Sequence, residues 1–124
     1  MPPSTPPTSS TPRHGEIWLV ALDPTKGDEI RKTRPAVVIS SDAMGVLGVK
    51  LVVPLTGWQS SHDKKLWLVP VEPGGRTGLS KHSTADVLQM RSVALERFVT
   101  RLGRMPADLL EEIAAAIAAA VEYQ

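Results

Sequence analysis

No cysteine occurs among the 124 residues, so disulfide frameworks, thiolate zinc sites and cysteine nucleophiles are excluded. The longest apolar stretch, Ile113 to Val121, is far too short to cross a bilayer. The N-terminus offers neither a basic region nor an apolar run that would direct secretion, and a cytoplasmic location without membrane insertion is expected. The three histidines, His14, His62 and His82, are far apart in sequence, and none stands in an HExxH-like or carboxylate-rich cluster. No metal site or cofactor is therefore predicted, and each histidine reads as a surface residue. Pro73-Gly74-Gly75-Arg76-Thr77-Gly78 is rich in glycine but lacks the Walker lysine and a following helix, so it reads as a hairpin turn.

What is present suits one domain, since 13.4 kDa is enough to bury a core without staples. Residues 1–12 hold five prolines and no large aliphatic except Met1, a composition that reads as a disordered tail ahead of a domain spanning residues 13–124. The formal net charge is only +1, yet it is unevenly placed. From Met105 onward there are four acidic residues, Asp108, Glu111, Glu112 and Glu122, and no Lys or Arg, which leaves the first 104 residues at net +5. A local basic surface of that kind suits phosphates.

Glu16 to Leu22 is a short β-rich apolar run closed by Asp23-Pro24, and Pro35 to Ser40 reads as a buried second strand with Pro35 at its first position. Val49 to Leu55 is a third strand, followed by a polar loop from Thr56 to Lys65 and a fourth strand from Leu66 to Val71. Ser83 to Met90 predicts another strand, Ser92 to Arg97 a turn or short helix, and Phe98 to Leu102 a last strand. Six or so closely spaced strands point to a small barrel or sandwich. Pro106 fits a first helical position, and Leu110, Ile113, Ile117, Ala120 and Val121 recur at three- and four-residue steps, which predicts an amphipathic C-terminal helix packed on the sheet.

The densest polar segment, Lys26 to Arg34, runs directly into the buried second strand, so the backbone of Arg34 is held by a rigid element. Thr56 lies just past Val53-Pro54-Leu55. If the second and third strands pair antiparallel, the start of one lies beside the end of the other and Arg34 neighbours Thr56. A guanidinium beside a hydroxyl makes a pocket for one phosphate, because the fork binds two oxygens and the hydroxyl donates to a third.

At these residues the chain resembles the MazF/PemK toxins. The likeness is carried, in family order, by Gly15-Glu16-Ile17-Trp18, Asp23-Pro24-Thr25-Lys26-Gly27-Asp28-Glu29, Arg34-Pro35-Ala36-Val37-Val38, Val53-Pro54-Leu55-Thr56 and Gln89-Met90-Arg91-Ser92-Val93, and it covers about Arg13 to Val121. The resemblance implies a small SH3-like β-barrel that forms a homodimer and cuts single-stranded RNA without metal, leaving a cyclic phosphate and a 5′-hydroxyl. It implies Arg34 and Thr56 as the catalytic pair and Glu29 as a supporting or proton-handling residue. It also implies neutralisation by a cognate MazE-like antitoxin, an acidic and partly disordered segment that mimics RNA charge.

Bases of a single strand are read by polar groups and by stacking on aromatic faces, and Asp28, Trp58, Gln59 and Gln89 are the candidates. Lys64 and Lys65 are further candidates for neutralising phosphates, whereas Trp18 and Trp67, within strands, read as core or interface. Two positions depart from the family pattern. Asp28 stands where many relatives have serine, and Leu88 stands where a carboxylate commonly precedes the glutamine. Asp86, two residues before Leu88 on the same strand face, is placed to replace that carboxylate. The same barrel fits CcdB-like toxins, which bind DNA gyrase and cut nothing, and a non-catalytic RNA-binding barrel. Against the former, the chain ends Val121-Glu122-Tyr123-Gln124 instead of in an apolar Trp-Gly-Ile terminus, and it keeps Arg34 and Thr56.

Overall fold

A computed structural model describes residues 11–45 and 47–123. The expected disordered tail lies outside the described residues except for Thr11 and Pro12, and Pro12 is buried. The elements are strands β1 (Glu16–Ala21), β2 (Thr33–Val38), β3 (Val49–Gly57), β4 (Leu68–Val71), β5 (Ser83–Asp86), β6 (Arg91–Ala94) and β7 (Phe98–Arg104), then helix α1 (Ala107–Ala120). The protein is thus mainly β with a C-terminal helix. No helix among the described residues is long and apolar enough to cross a membrane.

All strand pairings are antiparallel, in the order β4-β5-β3-β2-β1-β7. The long strand β3 is shared along one edge, where Val49 to Val52 pair with β6 and Leu55 to Gly57 pair with β5. Both faces of the central strands are buried, which is why β1, β2 and β3 read as continuous apolar runs instead of alternating ones. On one face Ile17, Val37, Val53 and Leu55 join Val69, Val71, Ala85 and Met105, covered by Ile113 and Ala116 of α1. On the other, Trp18, Val20, Ala36, Val38 and Val52 pack with Leu22 and Val93. Phe98 meets Trp18 edge to face, with ring centroids 5.8 Å apart.

Several boundaries differ from those expected. The single strand expected from Ser83 to Met90 is broken by a one-turn helix at Val87–Gln89, whose first amide groups are met by the Asp86 side chain. Its continuation, β6, is a strand where a turn or helix was expected, and the turn is confined to Leu95–Arg97. The count among the described residues is therefore seven strands. Strand β2 begins two residues before Pro35, β3 carries Thr56 within it, and Leu66 and Trp67 fall outside β4 and are exposed. Pro106 caps α1 instead of opening its first turn.

The end strands of the path, β4 and β7, are not paired with each other, so the strands alone do not close a barrel. The gap is filled by the loop between β4 and β5. Arg104 donates its backbone N–H to Arg76 O at 2.8 Å, and Thr77 of the same loop is buried. This contact is possible only because two residues lack a side chain. A Cβ on Gly103 would lie 2.4 Å from Arg76 O, and one on Gly78, whose φ is +74°, would lie 2.1 Å from Leu102 O. Gly78→Ala therefore meets both a left-handed backbone penalty and a backbone clash. We expect it to lower unfolding free energy by about 3 kcal/mol in urea titration. Gly75→Ala, with open space around its Cβ position, is expected to stay within about 0.5 kcal/mol of the parent, and equal effects of the two would remove the closure role assigned to Gly78.

Candidate functional site

The site is built where β2 and β3 part. Their ladder runs from Val38↔Val52 to Ala36↔Pro54 and goes no further. The odd-numbered residues of β2 turn their N–H toward β3, as Ile39 does to Leu51 O, so Pro35, which has no N–H, cannot supply the next rung beyond Ala36↔Pro54. Continuing the same register by two residues sets Arg34 opposite Thr56, beyond the last hydrogen-bonded pair. Cross-strand partners and residues two apart share a face, so Arg34, Pro54 and Thr56 lie together, and Thr84, the β5 partner of Thr56, extends the row.

Two loops flank that row. The loop from Leu22 to Lys32 lies over Pro54, with which Asp28, Glu29, Leu88 and Gln89 line a cleft of about 650 Å³. Its base is fixed by arginine: Arg91 donates to Leu22 O, and Arg97 donates to Ala21 O and Asp23 O. Its far end is held by Gln89, whose Oε1 accepts the Ile30 N–H at 3.1 Å and whose Nε2 donates to Asp28 O at 3.0 Å. Glu29 caps its own turn, its Oε1 accepting the Lys26 N–H at 2.7 Å. On the other side, the loop between β3 and β4 covers Thr84 through His62, whose Nδ1 is 2.9 Å from Thr84 Oγ1. On the opposite face of the sheet Leu19, Pro35, Leu55 and Gly57 line a smaller cleft of about 270 Å³, to whose wall Arg34 and Thr56 also contribute.

The residues expected at the site are therefore not equivalent. Arg34 is half-buried, its Nε donates to Arg31 O at 3.3 Å, and no ion pair within 4.0 Å joins it to Glu29 or to any carboxylate among the described residues. Its charge is left uncompensated beside the Thr56 position. Asp28 and Gln59 are exposed and can meet a ligand, although the Gln59 side chain also faces the His62 backbone N–H in a reciprocal cap of the short helix Ser60–His62. Gln89 has both ends of its amide engaged by the loop, so it positions the loop instead of presenting a free edge. Trp58 is half-buried and stacked on His82, centroids 4.8 Å apart and planes 5° from parallel, so one face of its ring is already covered. Lys64 and Lys65 are exposed, and the Lys65 Nζ stands 6.0 Å from the Trp67 ring centroid. No three His, Asp or Glu side chains among the described residues come together as a metal would require.

Asp86 shares the face of Thr84. Burial raises its carboxyl above the ordinary range, against the opposing pull of the Leu88 amide, the nearby His62 and the Gln89 amide. His62 itself, read from sequence as a surface residue, is linked to this row through a hydroxyl two strands from Arg34, and nothing in its sequence neighbourhood signals that link.

The mainly β antiparallel sheet with its C-terminal helix is the fold of a toxin class. The family model of PemK-like, MazF-like toxins of type II toxin-antitoxin systems covers residues 13–121, and the chain belongs to that family. Among curated relatives, the endoribonuclease MazF9 of Mycobacterium tuberculosis is 37% identical over 108 residues, spanning 82% of this chain and 88% of the relative. Among solved structures, MazF of Deinococcus radiodurans superposes with a TM-score of 0.74 at 24% identity, covering 90% of this chain and 97% of the other. A mycobacterial endoribonuclease in complex with its cognate antitoxin gives 0.72 at 16% identity, covering 91% and 97%. The chain is accordingly one of the endoribonuclease toxins of toxin-antitoxin systems.

The raised Asp86 carboxyl has a consequence for stability. A native state that holds this proton more tightly than the unfolded chain loses stability as pH rises from the ordinary carboxyl value through the raised one. Asp86→Asn removes that loss while its side-chain oxygen can still accept the Leu88 N–H. The difference in melting temperature, variant minus parent, should therefore be more favourable at pH 7 than at pH 3, and a difference independent of pH would contradict the assignment.

Proposed function

We propose that this toxin cuts single-stranded RNA without a metal ion, by attack of the neighbouring 2′-hydroxyl on the phosphate, leaving a cyclic phosphate and a 5′-hydroxyl. The observation that carries the reading is the β2–β3 register, which sets the uncompensated Arg34 opposite Thr56 just where Pro35 ends the ladder. Attack builds charge on the non-bridging oxygens, and fixed donors aimed at developing charge lower the barrier. Arg34 stabilises those oxygens through its fork, and Thr56 orients the phosphate or donates to it. Glu29 supports the site or handles a proton, using the oxygen left over from its turn cap. Asp28, Gln59, Trp58, Lys64 and Lys65 contact the strand, while Gln89 acts through the loop it holds.

We read the sheet, closed by the glycine-dependent loop contact, as an SH3-like barrel forming one domain from residue 13 to the C-terminus. The protein works in the cytoplasm and is neutralised by a MazE-like antitoxin. Support for that partner is the relative solved with its cognate antitoxin and the uncompensated cation of the groove, which an acidic segment would mask. The enzyme is a homodimer. An apolar surface of Met44, Leu47, Val49 and Leu51, exposed by 40% to 65%, is continuous through Leu51 with a cleft formed by Ile39, Met90, Leu110 and Ile117, and apolar patches of this kind mark protein contacts.

The purified chain should cut a long unstructured RNA in EDTA at one short motif. Arg34→Ala and Thr56→Ala should each lower the rate by at least about 100-fold with unchanged melting. Full activity in either variant would dismiss the pair, and products ending in 5′-phosphate would dismiss the 2′-hydroxyl chemistry. In sedimentation the parent should run at twice the 13.4 kDa chain mass, and Leu51→Lys should shift it to the monomer. A monomeric parent at micromolar concentration would rule the dimer out.

A further inference from the structure

The imidazole of His62 is fixed at one nitrogen and open at the other. Its Nδ1 lies 2.9 Å from Thr84 Oγ1 and accepts the Gln59 backbone N–H at 3.2 Å. Accepting that N–H commits the Nδ1 lone pair, so the neutral ring carries its proton on Nε2, and the charged ring carries one there as well. Nε2–H is thus a donor in either state. It has no hydrogen-bond partner among the described residues, yet it is not among their buried side-chain polar atoms that lack a hydrogen bond, of which the Nε2 of His82 is the sole example. The donor therefore faces solvent.

Its place in the sheet follows from the register. Thr84, fully buried beneath the ring, is the cross-strand partner of Thr56, with Cβ atoms about 5 Å apart. His62 therefore stands one side chain from Thr56, on the face that carries Arg34, and close enough to Asp86 to interact with it electrostatically. A lone donor discriminates poorly among base edges, which present both donors and acceptors, but it suits a phosphate, whose oxygens only accept.

We propose that His62 is a further RNA-contacting residue, donating its Nε2–H to a non-bridging oxygen of the phosphate next to the one held by Arg34 and Thr56. This assignment rests on the ribonuclease reading above.

Two variants separate the donor from the anchor. In His62→Asn the carboxamide oxygen falls about where Nδ1 is and can accept the same Gln59 N–H and Thr84 hydroxyl, but nothing reaches the Nε2 position. In His62→Gln the longer carboxamide restores a donor there. The readouts are kcat/KM for cleavage, Kd for the same RNA made uncleavable by a 2′-deoxy sugar at the cut site, and the melting temperature. His62→Asn should bind about 10-fold more weakly and cut roughly 10- to 100-fold more slowly, whatever the flanking bases, at unchanged melting. His62→Gln should recover most of both. Parent-like affinity and rate in His62→Asn would overturn the contact. A loss confined to one flanking base would replace it with base reading, and equal losses in both variants with lowered melting would reduce His62 to a support for the loop. A parent protein that neither cuts nor binds any RNA would overturn the ribonuclease reading itself, and the contact with it.

Discussion

The hydrogen-bond ladder between β2 and β3 stops at Pro35, and the arrangement of the site depends on that stop. Pro35 stands just beyond the last rung and has no N–H to donate to Leu55 O, so β2 cannot continue the pairing, while the nitrogen of Pro54 points away from β2, toward the β5 side. Two strands that are zipped together behind this point and unpaired in front of it hold Arg34 and Thr56 at a fixed separation without tying their backbones to each other. The same strands are buried on both faces behind the stop, and that burial makes the backbone positions of the pair a property of the core.

Charge is divided according to the same logic. Arg91 and Arg97 spend their donors on backbone carbonyls at the base of the Leu22–Lys32 loop, and Arg101 pairs with the buried Glu16, which also accepts the Trp18 indole N–H and the Arg13 amide. A buried carboxylate with three donors is a structural device, since an unpaired one would be costly. Arg34 has no carboxylate within 4.0 Å among the described residues and uses only its Nε, on Arg31 O, so the rest of its fork stays available to the groove.

Much of this was legible from the chain alone. The closeness of Arg34 and Thr56 follows from antiparallel pairing of two apolar runs, and such runs announce themselves by composition. The helix announces itself by its three- and four-residue spacing. Other features depend on partners far away in sequence. The break at Val87–Gln89 is stabilised by Asp86 on one side and by α1 packing on the other, and β-propensity alone favours one unbroken strand. Gln89 looks like a base-reading amide until its partners, about 60 residues earlier, are known. His62 carries no local signature, because its relevance comes from Thr84 and from the register that places Thr84 beside Thr56. The seventh strand escaped notice because Arg91 to Ala94 owes its extended form to the exposed edge of β3 and not to its own pattern.

The Leu22–Lys32 loop is secured by residues drawn from the last third of the chain: Gln89, Arg91 and Arg97. Strand β1, from which the loop departs, takes β7 as its outer neighbour. During translation the N-terminal half emerges first, and it emerges without any of these fastenings. A nascent chain carrying Arg34 and Thr56 thus lacks the wall of its own groove until the closing strands have left the ribosome. The order of synthesis itself delays completion of the groove until the last third of the chain has been made.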